Sequence, residues 1–124
     1  MATIVKKVLS GSSDGQSISV QTTATAGTLI HAGPSSTAVI DEIYLWAKNE
    51  SSSTAVQVLT IMWGEHNQTN SASVRITIPQ QDGLYPIIPG LILQGNATPL
   101  EIRAVCTETS AVGLLGYVNR ITQS

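Results

Sequence analysis

Apolar and polar side chains trade places along much of the chain. From Val39 to Lys48, Ile43, Leu45 and Ala47 fall on one side while Tyr44, Trp46 and Lys48 fall on the other, the period of two that defines a β-strand. Ile18, Val20 and Thr22 alternate with Ser17, Ser19 and Gln21, and Val74, Ile76 and Ile78 alternate with Ser73, Arg75 and Thr77. Both segments read as half-buried strands. Ala55 to Trp63 is apolar on both of its faces and rich in β-branched residues, which predicts a central strand covered on each side. Thr3 to Leu9 forms an opening strand, and Thr28 to Ala32 a short one closed by Gly33-Pro34-Ser35-Ser36.

The second half follows the same rhythm with more interruptions. Leu84 to Leu93 is apolar but holds Pro86, Pro89 and Gly90, which excludes an ordinary central strand; it reads as an irregular edge segment crossing from one sheet to the other. Leu100 to Cys106 and Val112 to Ile121 complete the set, with Gly113 and Gly116 marking bulges or close backbone approach. Ser10 to Gly15, Asn49 to Ser53, Gly64 to Ser71, Gln80 to Gly83 and Gly95 to Pro99 are turns or polar loops by composition. About eight short antiparallel strands and no helix predict an all-β chain, a β-sandwich or jelly-roll-like fold. Residues 1–124 read as one domain, with 1–9 an N-terminal arm or an edge strand.

Charge narrows the choice of partners. Only 11% of the 124 residues are charged, and the net charge is −2. The six basic residues (Lys6, Lys7, Lys48, Arg75, Arg103, Arg120) are scattered, so phosphate-driven nucleic-acid binding is not expected. A surface made largely of Ser, Thr, Asn and Gln lacks the charge that keeps monomers apart, which favours a protein that sits against others. No apolar run nears the roughly 20 residues of a membrane helix, and no secretory leader is visible. The Asn-x-Ser/Thr triplets at Asn49, Asn67 and Asn96 are therefore chance products of a Ser/Thr-rich chain.

Candidate chemistry is sparse. The single cysteine, Cys106, excludes an internal disulfide, and its phase with Leu100, Ile102 and Ala104 makes it a small buried hydrophobe. Asp41 and Glu42 are strand neighbours facing opposite ways, so they cannot share a proton or an ion; they read as solvated charges at a strand start. His31, Glu65 and His66 contain the donor types of a zinc site without ligand spacing, and the lone histidines read as surface or loop residues. Nothing resembles a nucleophile elbow, and Gly11 to Gly15 lacks the lysine of a phosphate loop. No catalytic residue, metal or cofactor is assigned, and no enzyme activity is expected.

The aromatic residues are few: Tyr44, Trp46, Trp63, Tyr85 and Tyr117. Tyr44 and Trp46 share a strand face, a geometry that fits a sugar-stacking platform; filling the core or a subunit interface is the favoured alternative.

Four stretches, Ile4-Val5-Lys6-Lys7-Val8-Leu9-Ser10-Gly11-Ser12, Asp41-Glu42-Ile43-Tyr44-Leu45-Trp46-Ala47, Leu59-Thr60-Ile61-Met62-Trp63-Gly64 and Gly116-Tyr117-Val118-Asn119-Arg120-Ile121, resemble small virion structural proteins of tailed bacteriophages, above all capsid decoration (cement) proteins. The resemblance implies an all-β module, made in the host cytoplasm and carried on the virion, that binds the major capsid protein lattice as a symmetric homo-oligomer, a trimer first and a dimer next. It leaves Glu65-His66-Asn67-Gln68 unmatched. Tyr44, Trp46, Tyr85 and Arg120 are the candidate interface anchors, because aromatic and arginine side chains dominate binding hot spots. A tail or fibre component of the same virion and a carbohydrate-binding module are the alternatives.

Overall fold

The computed structural model describes residues 2–21, 27–49, 57–65, 73–79, 83–108 and 111–123. Among them the chain forms nine strands and no helix: β1 (Thr3–Val8), β2 (Ile18–Ser19), β3 (Thr28–Ala32), β4 (Val39–Asn49), β5 (Gln57–Glu65), β6 (Ser73–Ile78), β7 (Tyr85–Gln94), β8 (Glu101–Cys106) and β9 (Val112–Thr122). The first sheet runs β1-β9-β4-β7, with β2 also on β9, and the second runs β3-β8-β5-β6.

The pairing is nested. β2 pairs with β9, β3 with β8, β4 with β7 and β5 with β6, all antiparallel. The chain is thus one long folded hairpin, wrapped so that β4 meets β9 and β5 meets β8. Nested pairs distributed over two facing sheets make a jelly roll. β1 is an additional strand, laid on β9 beyond β2.

Alternation sets what lies between the sheets. Along β4, Ile43, Leu45 and Ala47 are fully buried, while Tyr44 and Trp46 point outward and are half-buried. Val112, Leu114 and Val118 from β9 join them from the first sheet, facing Leu59, Ile61, Ile102, Ala104 and Cys106 of the second. Cys106 is buried, and burial pushes its thiol up from the ordinary value. Gly113 and Gly116 mark close approach rather than bulges, since β9 stays in unbroken register with β4. A Cβ on Gly116 would stand 2.0 Å from the Tyr44 carbonyl oxygen.

Three expectations change. The 84–93 segment is an edge strand, but it does not cross between sheets: β7 pairs with β4 from Tyr85 to Gln94. Its irregularity consists of two register shifts, which leave Ile87 and Gly90 without partners on β4, and Gly90 takes φ +100°. One of the passages between the sheets comes at Val20 and Gln21, where Val20 N–H donates to Val112 of the first sheet and Gln21 C=O accepts from Cys106 of the second. β5 is central, but its second face is only partly covered: Leu59 and Ile61 are buried on one face, whereas on the other Met62 is buried and Val58 exposed. Finally, Leu9 belongs to the core, so an arm ends at Val8. Thr22, Ala55, Val56, most of the 64–71 loop and the Gln80-Gln81-Asp82 turn lie outside the described residues.

Candidate functional site

Two polar or aromatic constellations stand out, one inside the sandwich and one on its outer surface.

The inner one joins three strands. Asp41 shares the phase of Ile43 and Leu45, so it points inward and is fully buried. Arg120, opposite it on β9, grips it with two hydrogen bonds, Nε to Oδ1 at 2.8 Å and a terminal guanidinium nitrogen to Oδ2 at 2.9 Å. His31 of β3 reaches Asp41 Oδ2 from the second sheet at 2.6 Å. On its other side the Ser10 amide donates to His31 Nδ1 at 3.1 Å, so Nε2 is the nitrogen that carries the hydrogen shared with Asp41. Burial alone would raise the Asp41 carboxyl; the hydrogen bonds from Arg120 and His31 and the charge of Arg120 outweigh it and hold Asp41 below the ordinary value. Arg120 is raised by its hydrogen bond to Asp41.

Both histidine and aspartate therefore depart from the surface roles expected of them. A His–Asp pair resembles the base and orienting group of hydrolases, yet here both ring nitrogens are occupied and the imidazole is 1% exposed. It has no lone pair to offer a substrate. The network is a clasp between sheets. Both Asp41 oxygens are bonded as well, and no buried side-chain polar atom among the described residues lacks a hydrogen bond.

The outer constellation lies on the exposed face of the first sheet. Tyr44 and Tyr117 sit opposite each other on β4 and β9 with ring centroids 4.9 Å apart and planes 16° off parallel. Trp46 stacks more loosely on Tyr117, at 6.0 Å and 25°. The Lys6 ammonium stands 4.7 Å from the Tyr117 ring centre, and a side chain at Gly90 of β7 would meet the Tyr44 ring at 3.2 Å. The result is a ridge spanning four strands, from Lys6 through Tyr117 and Tyr44 to Gly90. Glu42 accepts from Asn119 at 3.1 Å and from the Tyr44 phenol, and that second bond raises the Tyr44 hydroxyl above the ordinary value. Around the ridge the surface is apolar: Ile4 and Val8 of β1 and Ile92 of β7 are all more than half exposed.

The four candidate anchors divide. Tyr44 and Trp46 meet on the outer face. Tyr85 faces the other way and packs against the core. Arg120 is committed to Asp41, with 28% of its side chain exposed. Tyr117, His31 and Asp41 complete the two constellations and were not among the expected anchors. Asp41 had a signal, since the Ile43–Leu45–Ala47 phase carried back two residues reaches it. His31 had none: a shift in register between Leu29 and His31 puts Ile30 and His31 both inside, against simple alternation.

Of the zinc-type donors, His31 is taken by Ser10 and Asp41, and His66 lies outside the described residues. No group of three His, Cys, Asp or Glu among the described residues is placed to hold a metal. No family model, curated protein or solved structure matches the chain.

Proposed function

We propose that the chain is a structural virion protein of the capsid-decoration type, which binds the major capsid protein lattice through the outer face of its first sheet. The observation that carries this reading is the ridge of Tyr117, Tyr44 and Trp46 set in exposed Ile4, Val8 and Ile92. A rigid aromatic cluster bordered by apolar side chains is the composition of a protein-binding hot spot. The sequence resemblance to decoration proteins points the same way. Jelly rolls serve virus capsids and lectins alike, so the fold is compatible with the reading without selecting it.

Ring geometry weighs against the carbohydrate alternative. A sugar stacks on a ring face turned to solvent. Rings laid flat side by side cannot bring their centroids within 4.9 Å, so Tyr44 and Tyr117 stand on edge and share a face. Lys6 lies over the Tyr117 ring, and Gly90 lies against Tyr44. Tyr44 and Tyr117 thus present ring edges, which suit packing into a protein groove. The clasped His31–Asp41 pair likewise supports action by binding without turnover.

The test is co-sedimentation with heads assembled from the major capsid protein encoded beside the gene. Wild-type protein pellets with the heads, and a Trp46→Ser/Tyr117→Ser variant that retains its strand content stays in the supernatant. Pelleting with isolated tails and not with heads would instead assign a tail component.

A further inference from the structure

We infer that β1 is the contact through which two copies of this chain pair, edge to edge, into one continuous sheet. β1 is hydrogen-bonded to β9 along its whole length, yet every one of its side chains is exposed, and Ile4, Val5 and Val8 are 65%, 50% and 51% accessible. The strand stands at the end of the first sheet, so among the described residues one row of its backbone N–H and C=O groups has no strand beside it. Such a row recruits another strand unless the sequence blocks it with proline, a bulge or a projecting charge.

The first sheet's opposite edge, β7, is blocked by Pro86, Pro89 and two register shifts, and the β3 edge of the second sheet is broken by a shift at Ile30. β1 has neither proline nor bulge, and of its two lysines the inward-pointing Lys7 is the one projecting charge left to guard the edge. Its register on β9 is regular from Thr3 to Val8, and Lys6, the charge placed to guard the outer face, is folded back onto Tyr117.

A second copy of β1 fits this edge by register. Val8 pairs with Tyr117 on the outer face and Lys7 with the buried Val118 on the inner face, so Ile4, Lys6 and Val8 point outward and Thr3, Val5 and Lys7 inward. Directly opposed residues of an antiparallel pair share a face. A two-fold axis perpendicular to the sheet satisfies this when it passes through Val5. It then sets Val5 against Val5, Ile4 against Lys6, Thr3 against Lys7 and Ala2 against Val8. No lysine opposes a lysine, whereas an axis through Lys6 would oppose two. The contact is self-complementary, as a two-fold dimer requires. It also places both aromatic ridges on the same side of one broad sheet, so the pair offers its partner two binding faces at once. The pairing does not depend on what that partner is.

The experiment is sedimentation equilibrium on the full chain, with Val5→Lys and Val5→Cys variants. Wild type sediments as a dimer. Val5→Lys, which changes an exposed side chain and sets like charges face to face across the axis, weakens the dimer by at least about tenfold. Val5→Cys forms an oxidised cross-linked dimer, while Ile4→Cys, whose opposite residue is Lys6, does not. A monomer at every concentration, a dimer indifferent to Val5→Lys, or cross-linking through Ile4→Cys in preference to Val5→Cys would overturn the inference; association only with an added extended peptide would assign the edge to another chain.

Discussion

His31 and Asp41 hold the two sheets together through a 2.6 Å hydrogen bond, one residue on β3 of the second sheet and the other on β4 of the first. Arg120 neutralises the aspartate from β9, and the Ser10 amide fixes the imidazole from the segment after β1. A buried charge is tolerated only when paired and hydrogen-bonded, and all four groups are needed to meet that condition at this end of the sandwich.

Removing the carboxylate leaves Arg120 and His31 without their partner. Asp41→Ala is expected to cost about 3 kcal/mol of unfolding free energy, the lower end for breaking a buried pair because Arg120 retains some access to water. Urea denaturation followed by circular dichroism measures it. A loss within experimental error of zero would show that the clasp contributes nothing to stability.

The same pair sets an acid limit. Asp41 has a folded-state value below the ordinary 3.8, so its contribution is whole above that pH and is lost as pH falls through the lower folded value. The stability gap between wild type and Asp41→Asn is therefore expected to stay constant from neutrality down to about pH 4 and to close below it. Denaturation midpoints of both proteins across that window check the sign.

Close approach of β9 to β4 makes Gly116 irreplaceable. Gly116→Ala drives a methyl group into the Tyr44 carbonyl and is expected to cost about 3 kcal/mol or to abolish folding. Gly83→Ala is the control, because among the described residues nothing lies within 4 Å of its Cβ and its φ of +85° is the strain that remains; its cost is about 1 kcal/mol. Thermal melts rank the two.

The ridge is expected to contribute modestly to stability and, on the proposed function, strongly to binding. Tyr117→Ala removes the ring that Tyr44, Trp46 and Lys6 all touch, with an expected cost of about 1–2 kcal/mol. Near-ultraviolet circular dichroism should lose the signal of the stacked rings while the far-ultraviolet spectrum is kept.

The alternation of Ile43, Leu45 and Ala47 was enough to orient β4, and the same logic placed Cys106 in the core. What alternation could not supply was the partner of each strand. Tyr117 meets Tyr44 because the ends of a nested hairpin close on each other, a relation between distant segments that no local pattern encodes. The bulged β3 hid His31 by breaking the period of two. The polar character of Asp41 masked an inward phase that its own neighbours had already fixed. Pro86, Pro89 and Gly90 identified β7 as an edge, but its two unpaired residues, Ile87 and Gly90, absorb the irregularity within one sheet, so this segment stays in it from Tyr85 to Gln94.

Burial of Trp46 against the shell tests the account most directly. In a Trp63→Phe background Trp46 is the sole fluorophore of its kind, on the half-buried outer face. On saturation with heads its emission is expected to move to shorter wavelength and its quenching by acrylamide to fall severalfold. Binding with Trp46 emission and quenching both unchanged would place the contact elsewhere on the molecule and contradict the assignment of the outer face.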